Sequence, residues 1–250
     1  MYKLNKEGVR FSKRDKEKGI KLPAHLTEKL AEDIGAHIGD GSLYLCNPKR
    51  NSFEFSHASN TDEREYTEHI IKLKKELYNL TKYRINTKGK GENVRFSSLA
   101  IATFYINCLG IPAGSKLYTS KIPPLIKNSK DKKIVQACIR GIVDTDFYFC
   151  YKNKYGKPYP ILTGGFASKH LVEDLEYLFN FIGIRTNTSF YTTKADKRFN
   201  KSWISHVITI CGHNEVGKYI QQIGFNNPKN RKRIKVSPRG FEPPTFHRNI

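Results

Sequence analysis

Two aspartates, Asp40 and Asp146, are the residues of this chain best placed to do chemistry. Each closes a stretch that reads as a helix, Leu30-Ala-Glu-Asp-Ile-Gly-Ala-His-Ile-Gly-Asp40 and Gln136-Ala-Cys-Ile-Arg-Gly-Ile-Val-Asp-Thr-Asp146. An offset of 106 residues relates the two, and the same offset maps Ala31, Gly35 and Gly39 onto Ala137, Gly141 and Thr145. Spacing of four puts each set on one helix face. Small side chains on such faces let two helix backbones approach closely. If these helices pack on each other, Asp40 and Asp146 meet at one edge of the seam. Juxtaposed carboxylates repel unless a cation lies between them. Hard oxygen ligands with room for water and phosphate suit Mg²⁺, and Mg²⁺ against a phosphodiester activates water and stabilises the leaving oxygen. A single aspartate at a helix end is most simply a stop signal. Two at matching ends of matching helices point to a site.

The elements around the pair repeat as well. Leu26, Leu30, Ile34 and Ile38 recur every four residues and form one helical stripe, with Thr27 as the cap. Strands follow near 43–46 and 52–57, then a helix from Asn60-Thr61-Asp62 to about Leu80. Strands near 83–87 and 93–97 and a helix from Ser98 to Leu109 complete an αββαββα order. The second half repeats it: a helix over 131–145, strands at 147–151 and 161–166 across the Lys154-Tyr-Gly-Lys-Pro turn, and a helix from Ser168 to Ile182. Strands near 186–191 and 203–211 and a helix over 214–223 follow. Internal duplication is the strongest architectural reading. Between the halves, Pro123-Pro124 argues against regular structure. The divisions are a basic N-terminal arm at 1–24, a first half at 25–117, a linker at 118–130, a second half at 131–235 and a Pro/Gly-rich, unstructured tail at 236–250.

Bulk composition narrows the partner. A net charge of +21 is too large and too widely spread to be incidental, and it implies a polyanion, most often nucleic acid. An anionic membrane surface is the other candidate, but no stretch approaches the roughly 18 apolar residues of a spanning helix. The N-terminus lacks the apolar core of a signal peptide. Five cysteines, an odd number with no metal-ligand spacing, indicate neither a disulfide framework nor a zinc site. The expected location is intracellular, in cytoplasm, nucleoid or organelle, and not secreted. The cationic residues of the arm read either as a solvated face or as an extension that contacts phosphates.

Ile34-Gly-Ala-His-Ile-Gly-Asp-Gly41 and Ile139-Arg-Gly-Ile-Val-Asp-Thr-Asp146 resemble the two motifs of a LAGLIDADG homing endonuclease of the single-chain type encoded in archaeal and organellar introns. Leu109-Gly-Ile-Pro-Ala-Gly-Ser-Lys116, Lys121-Ile-Pro-Pro and Ile223-Gly-Phe-Asn-Asn-Pro-Lys229 are also similar to that family, so the resemblance covers about residues 26–235. It implies an α+β fold of two pseudo-symmetric αββαββα halves whose curved sheets form a saddle over DNA. It implies a monomer that cuts both strands of a long double-stranded site, using two or three Mg²⁺ ions shared between the halves. Asp40 and Asp146 would be the metal ligands, with the carbonyls of Gly39 and Thr145 contributing. Lys116 and Lys229 match the family's basic residue near the scissile phosphate. His57 and Lys169 lie where the family places a polar residue behind the metal. Two positions depart from the pattern: Phe147 replaces the glycine that usually follows the aspartate, and Ile38 stands where an acidic residue is frequent. Phe147 is expected to shift the backbone near Asp146. The rivals on the same fold are an intron maturase that binds RNA and a DNA-binding regulator that does not cut; intact Asp40, Asp146, Lys116 and Lys229 favour the nuclease.

Overall fold

The computed structural model describes residues 2–50, 52–196 and 201–235. Thr27 caps α2 (Glu28–Ile38) by accepting the Leu30 amide at 3.3 Å, and the helix ends at Gly39. β1 (Gly41–Asn47), β2 (Ser52–Asn60), α3 (Arg64–Tyr78), β3 (Arg84–Lys88), β4 (Gly91–Phe96) and α4 (Leu99–Asn107) complete the first half. Asn60 and Glu63 form a capping box on the 3-10 turn Thr61–Glu63 that leads into α3, and Ser98 caps α4. The second half runs α6 (Lys132–Asp146), β5 (Phe147–Lys154), β6 (Lys157–Phe166), α7 (Lys169–Phe181), β7 (Asn187–Asp196), β8 (Lys201–Cys211) and α8 (Gly212–Gln222). The strand orders are β1-β2-β4-β3 and β5-β6-β8-β7, antiparallel throughout. The molecule is α+β, with two four-stranded antiparallel sheets.

Register assigns each strand residue to a face. Leu43, Phe55 and Phe96 lie in one cross-strand row, buried beneath the helices. The opposite face carries the row Ser42–Ser56–Arg95–Arg84 in the first sheet and Tyr148–Thr163–Thr209–Asn187 in the second. One face of each sheet is therefore apolar and helix-covered, and the other is polar.

Beside Phe147 the backbone differs from that of the first half: α6 runs on through Asp146, whereas α2 ends at Ile38, before Asp40. Phe147 is buried, extended in backbone, and paired across the ladder with Gly164, over which its ring lies. In the first sheet the corresponding pair is Gly41 and His57. A large residue faces a glycine in both halves, with the strands exchanged, so the volume is conserved.

Two other expectations change, and one helix was not anticipated. Pro123-Pro124 does not exclude helix: Pro124 opens a short α5 (Pro124–Lys127), where a missing N–H costs nothing, and the Ile126 and Lys127 amides donate to the Pro123 carbonyl at 2.9 and 3.0 Å. The basic run near 229–235 forms α9 (Pro228–Lys235). The N-terminal segment is not a free arm: α1 (Lys13–Glu17) and its flanks dock on the first half, with Leu4, Asp15 and Ile20 buried. The tail 236–250 lies outside the described residues.

Candidate active site

The seam between α2 and α6 sets the geometry. A Cβ on Gly35 would stand 2.1 Å from the Cys138 carbonyl oxygen, and one on Gly141 would stand 2.4 Å from the Glu32 carbonyl oxygen. The two backbones are therefore in direct contact at both glycines. At the C-terminal end, a Cβ on Gly39 would meet Thr145 Oγ1 at 1.9 Å and Asp146 Oδ2 at 2.4 Å. Asp146 is the last residue of α6, and Asp40 follows Gly39, the residue that caps the end of α2. The small-residue stripe thus brings both carboxylates to one edge, as its spacing predicts.

Both carboxyls are strained toward the protonated form. Burial pushes Asp40 up to about 7, the Asp146 charge adds to the rise, and Lys229 opposes it. Burial also raises Asp146, against Lys116, a Thr145 hydrogen bond and Lys229. Among the described residues neither carboxylate takes part in an ion pair.

The two lysines sit instead on helix carbonyls. Lys116 Nζ donates to the carbonyl oxygens of His37, Ile38 and Gly39, at 2.6 Å for Ile38. Lys229 Nζ donates to the Thr145 carbonyl at 3.3 Å and pairs with Glu63 at 3.2 Å. A cation at each helix C-terminus complements the macrodipole. Each lysine is also anchored to an edge strand. The Gly114 amide donates to Leu43 of β1 at 2.8 Å, while Asn230 accepts the Phe149 amide of β5 at 3.1 Å. Burial lowers the Lys116 ammonium to about 8, with Asp146 and Asp40 holding it up. A cavity of about 590 Å³ opens beside Lys116 and Asp146, bounded by Tyr44 and by Gly165–Ser168.

The donors at this edge are two carboxylates and two backbone carbonyls, all hard oxygens that fit a divalent cation. The described residues hold no cluster of three or more His, Cys, Asp or Glu side chains able to bind a metal. An ion here would complete its shell from carbonyls, water and a substrate oxygen. The Gly39 and Thr145 carbonyls are the ones the lysines engage, leaving each oxygen's second lone pair for a ligand.

His57 and Lys169 are not part of this edge. His57 is buried on the core face beside Tyr66, its Nε2 has no partner, and burial drives its imidazole down to about 3. Lys169 pairs with Glu173 at 3.3 Å and lies over the rings of Phe190 and Tyr191.

A second polar group at the seam was not apparent from the chain. Glu32 of α2 bonds Arg140 of α6 and His69 of α3, each at 2.6 Å, and the Asn226 side chain at 2.6 Å. Asn227 reaches Glu63 at 3.0 Å and the Asp144 carbonyl at 2.8 Å. Glu32 and Arg140 each adjoin a seam residue, Ala31 and Gly141, which is the signal that could have found them.

No protein-family model matches the chain, and no curated protein matches it. Solved structures do. The chain is similar to the homing endonuclease I-DmoI solved in complex with DNA and Mn, at 21% identity and a TM-score of 0.54, covering 80% of this chain and 98% of that one. An I-DmoI variant in complex with its target DNA in the presence of Mg matches at 20% identity and a TM-score of 0.54, over 78% and 96% of the two chains. The LAGLIDADG homing endonuclease I-GzeII in complex with a DNA target matches at 12% identity and a TM-score of 0.53, over 83% and 87%. Among the described residues no helix is long and apolar enough to cross a membrane. At these identities the likeness is one of fold, and the fold is that of the LAGLIDADG homing endonucleases.

Proposed function

We propose that this chain is a site-specific double-strand DNA endonuclease of the two-motif LAGLIDADG type, acting inside the cell as a monomer. Residues 25–117 and 131–235 are its two halves, joined by 118–130. The observation that carries this reading is the convergence of Asp40 and Asp146 at one end of a backbone-to-backbone helix seam, each beside a lysine. The neighbours solved with DNA support the partner.

Asp40 and Asp146 hold Mg²⁺, with the Gly39 and Thr145 carbonyls beside them. Magnesium bound there supplies Lewis acidity toward the phosphodiester and lowers the pKa of a coordinated water. The protein's own residues do the rest. The carboxylates concentrate negative charge in a half-buried edge, which favours cation entry over protonation at neutral pH. Lys116 and Lys229 place one ammonium on each side, where each stabilises charge developing on a phosphate oxygen and orients water. The polar rows through Arg95 and Tyr148 face the major groove, where base edges are distinguishable.

The test is cleavage of a plasmid library carrying a randomised insert, with Mg²⁺ present, followed by sequencing of the ends. The expected product is a linear plasmid with recurrent short 3′ overhangs at one sequence. Absence of cutting with any divalent ion would sink the nuclease reading.

A further inference from the structure

The two flanks of the molecule differ. Before α2 lies a segment that packs on the first half through hydrogen bonds and the buried side chains of Leu4, Asp15 and Ile20. The Ala100 amide donates to Asp15 at 3.1 Å, the Arg10 amide to Thr103 Oγ1 at 3.0 Å, and Asn107 to the Gly8 carbonyl at 2.8 Å. Ser12 and Asp15 close a capping box on α1. These contacts hold the segment's cations in fixed positions instead of leaving them on a mobile tail.

What they face is a cavity of about 800 Å³ at the far end of the first sheet. Lys13, Arg14 and Lys18 form one wall, and Lys82, Arg84 and Arg95 form the other. Arg84 and Arg95 are cross-strand partners on the polar face. Only two acids line the cavity, and both are engaged. Asp15 accepts from Ser12 and from the Ala100 amide, and Glu54 pairs with Arg95 at 3.3 Å. Arg95 Nε is buried with no hydrogen-bond partner. No acid among the described residues pairs with Lys13, Arg14, Lys82 or Arg84. A rigid, half-open cavity with six cations and an orphaned guanidinium donor is a receptor for anionic oxygens.

Position identifies the anion. β1 runs from Gly41, next to Asp40, to Asn47, which lines the cavity. Six residues at about 3.3 Å each put the cavity about 20 Å from the catalytic edge. In the segment that connects the halves, Lys127 is instead paired with Asp174 and lies over Tyr177. We propose that α1 and the sheet end form a phosphate clamp for duplex DNA, about six base pairs outward from the cut on the first-half side only. This rests on the DNA-binding reading above and adds a contact outside both sheets.

The experiment compares wild type with Lys13→Gln/Arg14→Gln/Lys18→Gln, both carrying Asp146→Asn to prevent cutting. The probe is a duplex selected by the wild-type protein from a random library, titrated by fluorescence anisotropy from about 50 to 300 mM KCl. Each lost phosphate contact reduces the slope of log K against log salt by about 0.9. The expected result is a slope shallower by about 2 to 3, affinity about 10- to 100-fold weaker near 0.15 M salt, and hydroxyl-radical protection lost on one flank. Lys13→Arg/Lys18→Arg should keep the wild-type slope. Equal slopes and footprints with strong wild-type binding would overturn the clamp and leave the nuclease reading standing. A wild-type protein that selects no duplex, or that prefers structured RNA, would overturn both. The melting temperature of the triple variant separates charge loss from misfolding, since none of its three side chains is buried.

Discussion

A Cβ placed on Gly35 would lie 2.1 Å from the carbonyl oxygen of Cys138. The neighbouring atom is backbone, so no rotamer change relieves the clash. Gly35→Ala must push α2 and α6 apart, and the expected loss is about 3 kcal/mol of stability. Gly91→Ala, whose added Cβ would find its nearest atom at 3.4 Å, is the control. Chemical denaturation of the two variants checks this; equal midpoints would mean that the seam does not depend on the glycine.

Glu32 ties the halves together across that seam, and acid should untie them. Burial alone would raise its carboxyl, but the His69 hydrogen bond and the Arg140 charge outweigh burial and hold it near about 2, against an ordinary 4.5. The unfolded chain therefore binds the extra proton between these values. The stabilisation is complete above pH 4.5 and fades as pH falls toward 2, by about 3 kcal/mol. Urea midpoints measured from pH 2.5 to 6 should show this limb in wild type and a flatter one in Glu32→Gln.

Asp40 carries the opposite sign. Its carboxyl rises to about 7, so the folded protein keeps a proton that the unfolded chain releases above about 4. Stability without metal should decline as pH rises from about 4 through 7. Asp40→Asn should reduce that slope, to which the raised carboxyls of Asp144 and Asp146 also contribute, raise the melting temperature at pH 8 and abolish cleavage while DNA binding persists. Millimolar Mg²⁺ should raise the wild-type melting temperature at pH 8 and leave Asp40→Asn unmoved. A variant that still cuts would remove Asp40 from the site.

Glu63 holds Lys229, whereas Lys116 rests on carbonyls alone among its described contacts. Glu63→Gln should loosen one lysine and not the other. The expected outcome is a nicked intermediate that accumulates because one strand is cut about 10-fold more slowly. A supercoiled-plasmid time course reads nicked and linear forms separately. Equal slowing of both strands would argue against a local tether.

His57 should be dispensable for cutting. It is buried and neutral with an unpartnered Nε2, and His57→Phe removes that orphan. Stability should stay level or rise by about 1 kcal/mol, with cleavage retained. Loss of cleavage in a folded variant would return His57 to the site.

The parts of this fold that the chain announces are those where local physics decides. Small residues at period four can serve little except close helix contact, so the Gly35–Gly141 seam and the meeting of Asp40 with Asp146 were legible before any coordinates. The caps Thr27 and Ser168 were legible for the same reason: their oxygens satisfy helix amides locally.

What stayed hidden depends on distant partners. Pro228–Lys235 has no apolar face, and its helix is fixed by Asn230, which bonds the β5 backbone at Phe147 and Phe149. Covering an edge strand in this way leaves no periodic trace in the chain. His57 alternates with Phe53 and Phe55, which shows a strand but not which face is buried. The docking of Asp15 on the Ala100 amide joins residues 85 positions apart, beyond the reach of any local pattern.

The docked N-terminal segment has a consequence for direction. Two identical subunits about a true twofold would present every feature twice, and either could lie on either side of a cut. Among the described residues the Lys13–Arg14–Lys18 wall occurs once, as does the Glu63–Lys229 tether. The molecule therefore has a left and a right. On the proposed function, a duplex site would be read in one orientation only, and reversing the sequence between the same two ends should abolish cutting.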